Sequence, residues 1–279
     1  MPFTPSHAVV ALPFVRTPLV PAAIAVGAMA PDLPLFVRFL PLGYGLTHDV
    51  AWLGATTVLA LVLLLVWRTL LRPAIRELSP RALAERLPVE WDAGAPAAFR
   101  ETFAVLPAAG LASQRWRVSW GGLVLLAVSL ALGVVSHIVW DLFTHEGRWG
   151  VAAIPALAEE WGALPGYKWL QHGSSVIGLA VLGVWMMVWL SRRDATGQVA
   201  RVLPHGVRWA WWASLPVVLL VAWAGGLAVL GPIDSDFTVA HLAYRVLPPA
   251  CAAWGLATAV LCAAVQRRRT ARANVSTRS

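Results

Sequence analysis

Five stretches without a single Asp, Glu, Lys, Arg or His limit what this chain can become: Val50–Trp67, Val118–Ser136, Gly173–Ser191, Trp209–Ile233 and Val246–Val265. Each comes close to or exceeds the roughly 20 apolar residues a helix needs to cross a bilayer. Soluble cores rarely hold five such runs. Charged residues make up only 13% of the chain, against about 25% in a typical soluble domain. The expected fold is therefore all-α, a polytopic membrane helical bundle with five clear transmembrane helices.

The formal charge of +8 would suit nucleic acid, but its placement argues against that partner. Eight arginines lie in 68–117, four in 192–208 and five after Val265, whereas 141–172 and 234–245 hold two basic residues and one. That alternation follows the positive-inside rule. It predicts an inner (cytoplasmic) membrane location, a cytoplasmic loop over 68–117 and a cytoplasmic C-terminus. Within the loop, Ser79-Pro80 reads as a helix start, and 267–279 reads as a disordered basic tail. The whole chain, 1–279, is expected to form one membrane-embedded domain. Its first residues lack the basic start of a signal peptide and are expected to be retained. Cys251 and Cys262 lie inside the last apolar run and carry no information about disulfides.

Residues 8–31 are apolar but interrupted by Pro13, Pro18 and Pro21, with Arg16 where a simple span would have its middle. Proline removes a backbone donor and breaks a helix interior. One kinked span would fit. An N-terminal, Pro-broken helical hairpin that enters and returns fits better, and it would leave His7 and Asp32 on one side of the membrane.

The chain has seven histidines, and the topology gathers most of them. His48 precedes the first clear span, His137 ends the second, and His172 opens the third. In "SHIVWDLFTHEG", Asp141 and His145 follow His137 at four-residue intervals, which places them on one helix face. With the hairpin, His7 and Asp32 join the same side. Ionisable residues at the edge of lipid are costly, and a lone His-x-x-x-Asp would be a hydrated helix end. Five to seven such groups converging on one face point to a metal. Imidazole with carboxylate suits Zn²⁺, with Mn²⁺ and Fe²⁺ as alternatives. The candidate ligands are His7, Asp32, His48, His137, Asp141, His145 and His172. Asp49 and Glu146, next to His48 and His145, are candidates for general base or for orienting those rings. Arg148 and Lys168 are candidates for phosphate neutralisation or headgroup anchoring.

The segments "MPFTPSHA", "APDLP", "THD", "SHIVWDLFTHEGRWG" and "LQHGSS" resemble a bacterial multi-pass family catalogued as domain of unknown function 4184. That family is in turn similar to proteins grouped as inner-membrane metal-dependent hydrolases. The order His, Asp, His, then His-x-x-x-Asp also resembles the all-helical zinc-dependent phospholipase C and P1 nuclease fold, where such residues hold a zinc cluster. The resemblance implies one to three ions, with His7 serving one metal, Asp32, His48 and His137 its neighbour, and Asp141 bridging. Departures are that those phospholipases are soluble and use their processed N-terminal amine as a ligand, whereas Met1 here stands six residues before His7.

These features lead to the expectation of a metal-dependent hydrolase at the extracytoplasmic membrane face, cleaving a phosphoester of a lipid or membrane-associated substrate. The alternatives are a transporter or ion pathway, which the uncharged spans disfavour, and a non-catalytic membrane scaffold that docks a partner through its Arg-rich loop.

Overall fold

The structure, a computed structural model, describes residues 4–39, 41–107, 116–195 and 199–276. Among the described residues, five helices are long and apolar enough to cross a membrane: Val50–Leu78, Trp120–Thr144, Gly166–Ser191, His205–Leu230 and Val239–Val275. The protein is an all-α, multi-pass membrane protein. One antiparallel pair of three-residue strands, Val105–Pro107 and Trp116–Val118, joins the helices among the described residues. We label α1 Pro21–Met29, α2 Leu53–Leu65, α3 Trp120–Thr144, α4 Gly166–Ser191, α5 His205–Leu230 and α6 Val239–Ser276. The sequence predicts one domain, but the chain divides into two compact units.

The first unit comprises Met1–Asp32, Gly43–Val66 and Phe99–Arg193. Its opening residues, Thr4–Phe14, form a 3₁₀ arm, and the prolines between Pro13 and Pro21 turn the chain back into α1. Val20 N–H donates to Ser129 Oγ at 2.9 Å, and eight residues later Ala28 O accepts from His137 Nδ1 at 2.7 Å. Thus α1 runs parallel to α3, and the two arms form the expected hairpin. Thr4 Oγ1 donates to Asp32 Oδ2 at 2.7 Å and closes its open end. Glycine makes the packing possible. A Cβ on Gly27 would run into the Leu130 carbonyl oxygen, and one on Gly133 would overlap the Ile24 carbonyl oxygen. Small residues of this kind let helix backbones touch where lipid offers no hydrophobic drive.

The second unit comprises Leu33–Leu42, Trp67–Ala98 and Asp194–Ser279. Antiparallel α5 and α6 join through stacked Trp211 and Trp254, 5.4 Å between ring centroids. Trp211 Nε1–H donates to Thr258 Oγ1 at 3.0 Å and Trp254 Nε1–H to Ser214 Oγ at 2.9 Å. The Arg-rich segments are folded together around two carboxylates. Glu77, fully buried, accepts from Val202 N–H at 3.0 Å and Leu203 N–H at 3.1 Å. Arg208 Nη1 stands 3.6 Å away. Asp92 binds Arg76 and, at 2.9 Å, Arg269. Glu77→Ala would strand two backbone donors and their arginines. It is expected to cost about 3–5 kcal/mol, read as a lower unfolding midpoint of the purified protein.

Three sequence expectations change here. The segment from 267, expected to be disordered, continues α6 to Ser276; Arg269 and Arg272 donate to the carbonyls of Pro73 and Arg201 and hold it. The loop expected from 68 begins later, because the first span stays helical to Leu78. The helix expected at Ser79-Pro80 starts at Arg81, with Pro80 as its cap.

Candidate metal centre

Four segments of the first unit bring the site together. Helix α3 projects His137 and Asp141 from one face, as four-residue spacing requires. The end of the α1 arm supplies Asp32, and the short helix Tyr44–Thr47 ends at His48. Thr47 Oγ1 donates to Pro31 O at 2.7 Å and ties the last two segments together. The 3₁₀ arm lays His7 against His137, with 4.1 Å between ring centroids.

Backbone carbonyls decide what the imidazoles present. His137 is wholly buried, and its Nδ1 faces Ala28 O at 2.7 Å. His48 Nδ1 faces Tyr44 O at 2.9 Å. A carbonyl only accepts, so each Nδ1 carries the hydrogen. In their neutral form both rings would turn the lone pair of Nε2 inward, and the two Nε2 atoms are 3.1 Å apart. Asp141 Oδ2 lies 3.4 Å from His48 Nε2 and 3.5 Å from His137 Nε2. Asp32 Oδ1 is 3.7 Å from both.

This is a cage of acceptors. His7 Nε2, Asp32 Oδ1 and Asp141 Oδ1 are buried with no hydrogen-bond partner among the described residues. Lone pairs this close repel unless a cation sits among them. One proton would settle one pair of atoms and leave the others unpaired at the full cost of burial. A tetrahedral zinc site with bonds of about 2.1 Å has ligand atoms about 3.4 Å apart, close to the 3.1–3.5 Å separations of His48 Nε2, His137 Nε2 and Asp141 Oδ2. Two triads could hold a metal ion, His48–His137–Asp141 and His7–Asp32–His137, each with its ligand atoms within 4.8 Å of one another. Burial pushes the His7 imidazole down to about 3, so it is neutral and able to donate its lone pair at pH 7.

The remaining candidates sit elsewhere. His145 reaches Asp141 Oδ2 with Nδ1 at 3.6 Å, but its Nε2 faces Gln171 Nε2 at 3.3 Å. Lys168 Nζ donates to Gln171 Oε1 at 3.1 Å, which turns the Gln171 amide N–H toward His145. His145 therefore braces Asp141 from outside the cage, and burial lowers its pKa. His172 is exposed, because one residue past Gln171 is about 100° further around α4. Asp49 is exposed and caps the turn Val50–Trp52 by accepting from Ala51 N–H at 2.9 Å. Glu146 is exposed and accepts from Tyr167 Oη–H at 3.3 Å. His241 belongs to the second unit and pairs with Thr238. Sequence reasoning passed over Gln171, although it sits next to His172 and three residues from Lys168, the only lysine in the chain. The carbonyls of Ala28 and Tyr44 leave no side-chain signal at all.

The model of the family described as Domain of unknown function (DUF4184) matches residues 1–266. No curated protein matches the chain. No solved structure matches it.

Proposed function

The chain belongs to that family, and we propose that it is a metal-dependent hydrolase that cleaves a phosphoester in a membrane-associated substrate. The observation that carries this reading is the buried cluster of His48, His137, Asp32 and Asp141, with two imidazole Nε2 atoms 3.1 Å apart and carboxylate oxygens 3.4–3.7 Å from them. Zinc is the metal of choice, since two imidazoles and a carboxylate with ligand atoms 3.1–3.5 Å apart suit it. His137 Nε2 has a single lone pair, so one ion at a time is held through it. The arginine distribution supports an extracytoplasmic site and a cytoplasmic C-terminus. The likeness of the His/Asp order to the zinc-dependent phospholipase C and P1 nuclease fold agrees with the same chemistry.

When bound, the metal supplies hydroxide at neutral pH and polarises a phosphoryl oxygen. The protein's own groups hold that arrangement. Ala28 O and Tyr44 O fix the tautomers of His137 and His48. Lys168, Gln171 and His145 form a chain that steadies Asp141. In the reaction, a water oxygen bonds to phosphorus as the ester P–O bond breaks, and the proton of the water passes to the departing alkoxide, which leaves as an alcohol. The Lys168 ammonium, at the outer end of this chain, is placed to neutralise phosphate charge.

Purified protein is expected to hydrolyse p-nitrophenyl phosphate, to lose that activity to a chelator, and to regain it with Zn²⁺. His137→Ala should lower it at least about a hundredfold. Turnover that ignores the chelator, or no turnover of this ester or of a lipid phosphoester by the zinc-loaded wild type, would remove the hydrolase reading. A subtler change is Gln171→Leu, which leaves every ligand in place. It is expected to weaken zinc affinity about tenfold in competition with a zinc-binding dye. Unchanged affinity would separate the Lys168–Gln171–His145 chain from the site.

A further inference from the structure

A cleft of about 630 Å³ opens beside the cage, between the 3₁₀ arm, α3 and α4. His7 forms part of its wall, so the cleft and the candidate ligands share a residue. Its lining runs along α4 from Trp169 to Val181, twelve residues or about 18 Å of helix. Trp140 and Trp169 stand toward the α4 N-terminus, where Trp140 Nε1–H donates to Ser174 Oγ at 3.2 Å. Val9, Val10 and Val181 line the other end. No Arg or Lys lines it among the described residues.

The surroundings identify the occupant. Both α3 and α4 are membrane-crossing helices, and at the cleft α4 presents Ile177, 64% exposed, to what surrounds it. In a bilayer that neighbour is hydrocarbon. A cleft with aromatic groups at one end, aliphatic groups at the other and no cation to attract a soluble anion suits an alkyl chain. The adjoining cage suits the phosphate of the same molecule.

Resting on the hydrolase reading for its chemical consequence, we propose that this cleft takes one hydrocarbon chain of a phosphorylated lipid that enters sideways from the bilayer. The substrate is then a lipid phosphoester rather than a water-soluble one. Gly173 controls the space. A Cβ added there meets nothing within 4 Å, so Gly173→Trp fills the cleft without straining the helix.

The test uses the full chain in nanodiscs containing phosphatidic acid with a photoreactive diazirine in its acyl chain. Crosslinks are expected to concentrate on peptides carrying Val9–Val10 and Ile177–Val181. They should fall at least about tenfold in Gly173→Trp. Labelling spread evenly over the five spans, or unaffected by Gly173→Trp, overturns the proposal. A second arm compares turnover of long-chain phosphatidic acid with that of p-nitrophenyl phosphate. Gly173→Trp should lower the lipid-to-soluble ratio at least about tenfold, and an unchanged ratio overturns the substrate assignment. Concentrated, Gly173-sensitive labelling with no turnover of either compound upholds the chain site and removes only the hydrolase reading.

Discussion

Gly133→Leu is expected to abolish metal binding without altering a single ligand. The backbones of α1 and α3 touch at Gly27 and Gly133. A side chain at Gly133 would overlap Ile24 O and stand 2.7 Å from Ala28 N and 2.9 Å from Gly27 C. Those are backbone atoms and cannot rotate away, so α1 must move off α3. Ala28 is the residue whose carbonyl holds His137, and Asp32 follows at the end of the same arm. Displacement by even one methyl radius breaks the first contact and withdraws the second ligand. Overpacking of this kind costs about 1–3 kcal/mol, and contact between rigid backbones places it at the upper end. The check is zinc content per chain, with Gly183→Leu as control, because a Cβ at Gly183 meets nothing within 4 Å. Gly133→Leu protein that keeps its zinc would show that the glycine contact does not position the site.

Asp141→Asn is expected to separate metal binding from stability, with opposite effects on each. Asp141 faces three imidazoles, at 3.4 Å from His48, 3.5 Å from His137 and 3.6 Å from His145. Removing its charge takes a ligand from the centre of the cage, and zinc affinity should fall at least about a hundredfold. The asparagine amide, however, is a donor of nearly the same shape. It can give hydrogens to Nε2 of His48 and His137, which face only acceptors in the metal-free wild type. Chelator-treated Asp141→Asn protein should therefore unfold at the same temperature as chelator-treated wild type or higher. Zinc should raise the wild-type midpoint only, since a ligand at a hundred times its dissociation constant adds about 2.7 kcal/mol. A variant less stable than wild type when both are metal-free would mean that Asp141 already has a donor, and that the cage is an ordinary ion-pair cluster.

Much of this architecture was legible because lipid imposes it. Uncharged runs revealed the five spans, and Pro13, Pro18 and Pro21 around Arg16 gave the N-terminal hairpin. Topology and helix spacing then named the five residues that the structure brings together: His7, Asp32, His48, His137 and Asp141. What failed was what spacing alone does not determine. His172 and Gln171 are adjacent in sequence, and the helical twist between neighbours exposes one and buries the other. Asp49 lies beside a buried histidine, but the chain turns there and uses the carboxylate as a cap. His145 keeps the four-residue interval, yet it follows the last residue of α3 with extended backbone, so its ring meets Gln171 instead of the cage. The basic residues after 266 read as disordered because charge opposes a core, whereas Pro73 and Arg201 supply carbonyls that only the folded second unit positions. The tautomers of His48 and His137, which make the cage donor-free, depend on backbone atoms that every residue has.

The proposed chemistry requires that the buried His and Asp residues hold a metal ion. Elemental analysis of the purified full chain tests it most directly, with wild type, His137→Ala and Asp141→Asn prepared side by side in metal-supplemented buffer and then desalted. Wild type is expected to carry about one zinc per chain, from the single lone pair of His137 Nε2, and either variant less than about a tenth of that. Wild-type protein without transition metal, or variants that keep their zinc, would contradict it.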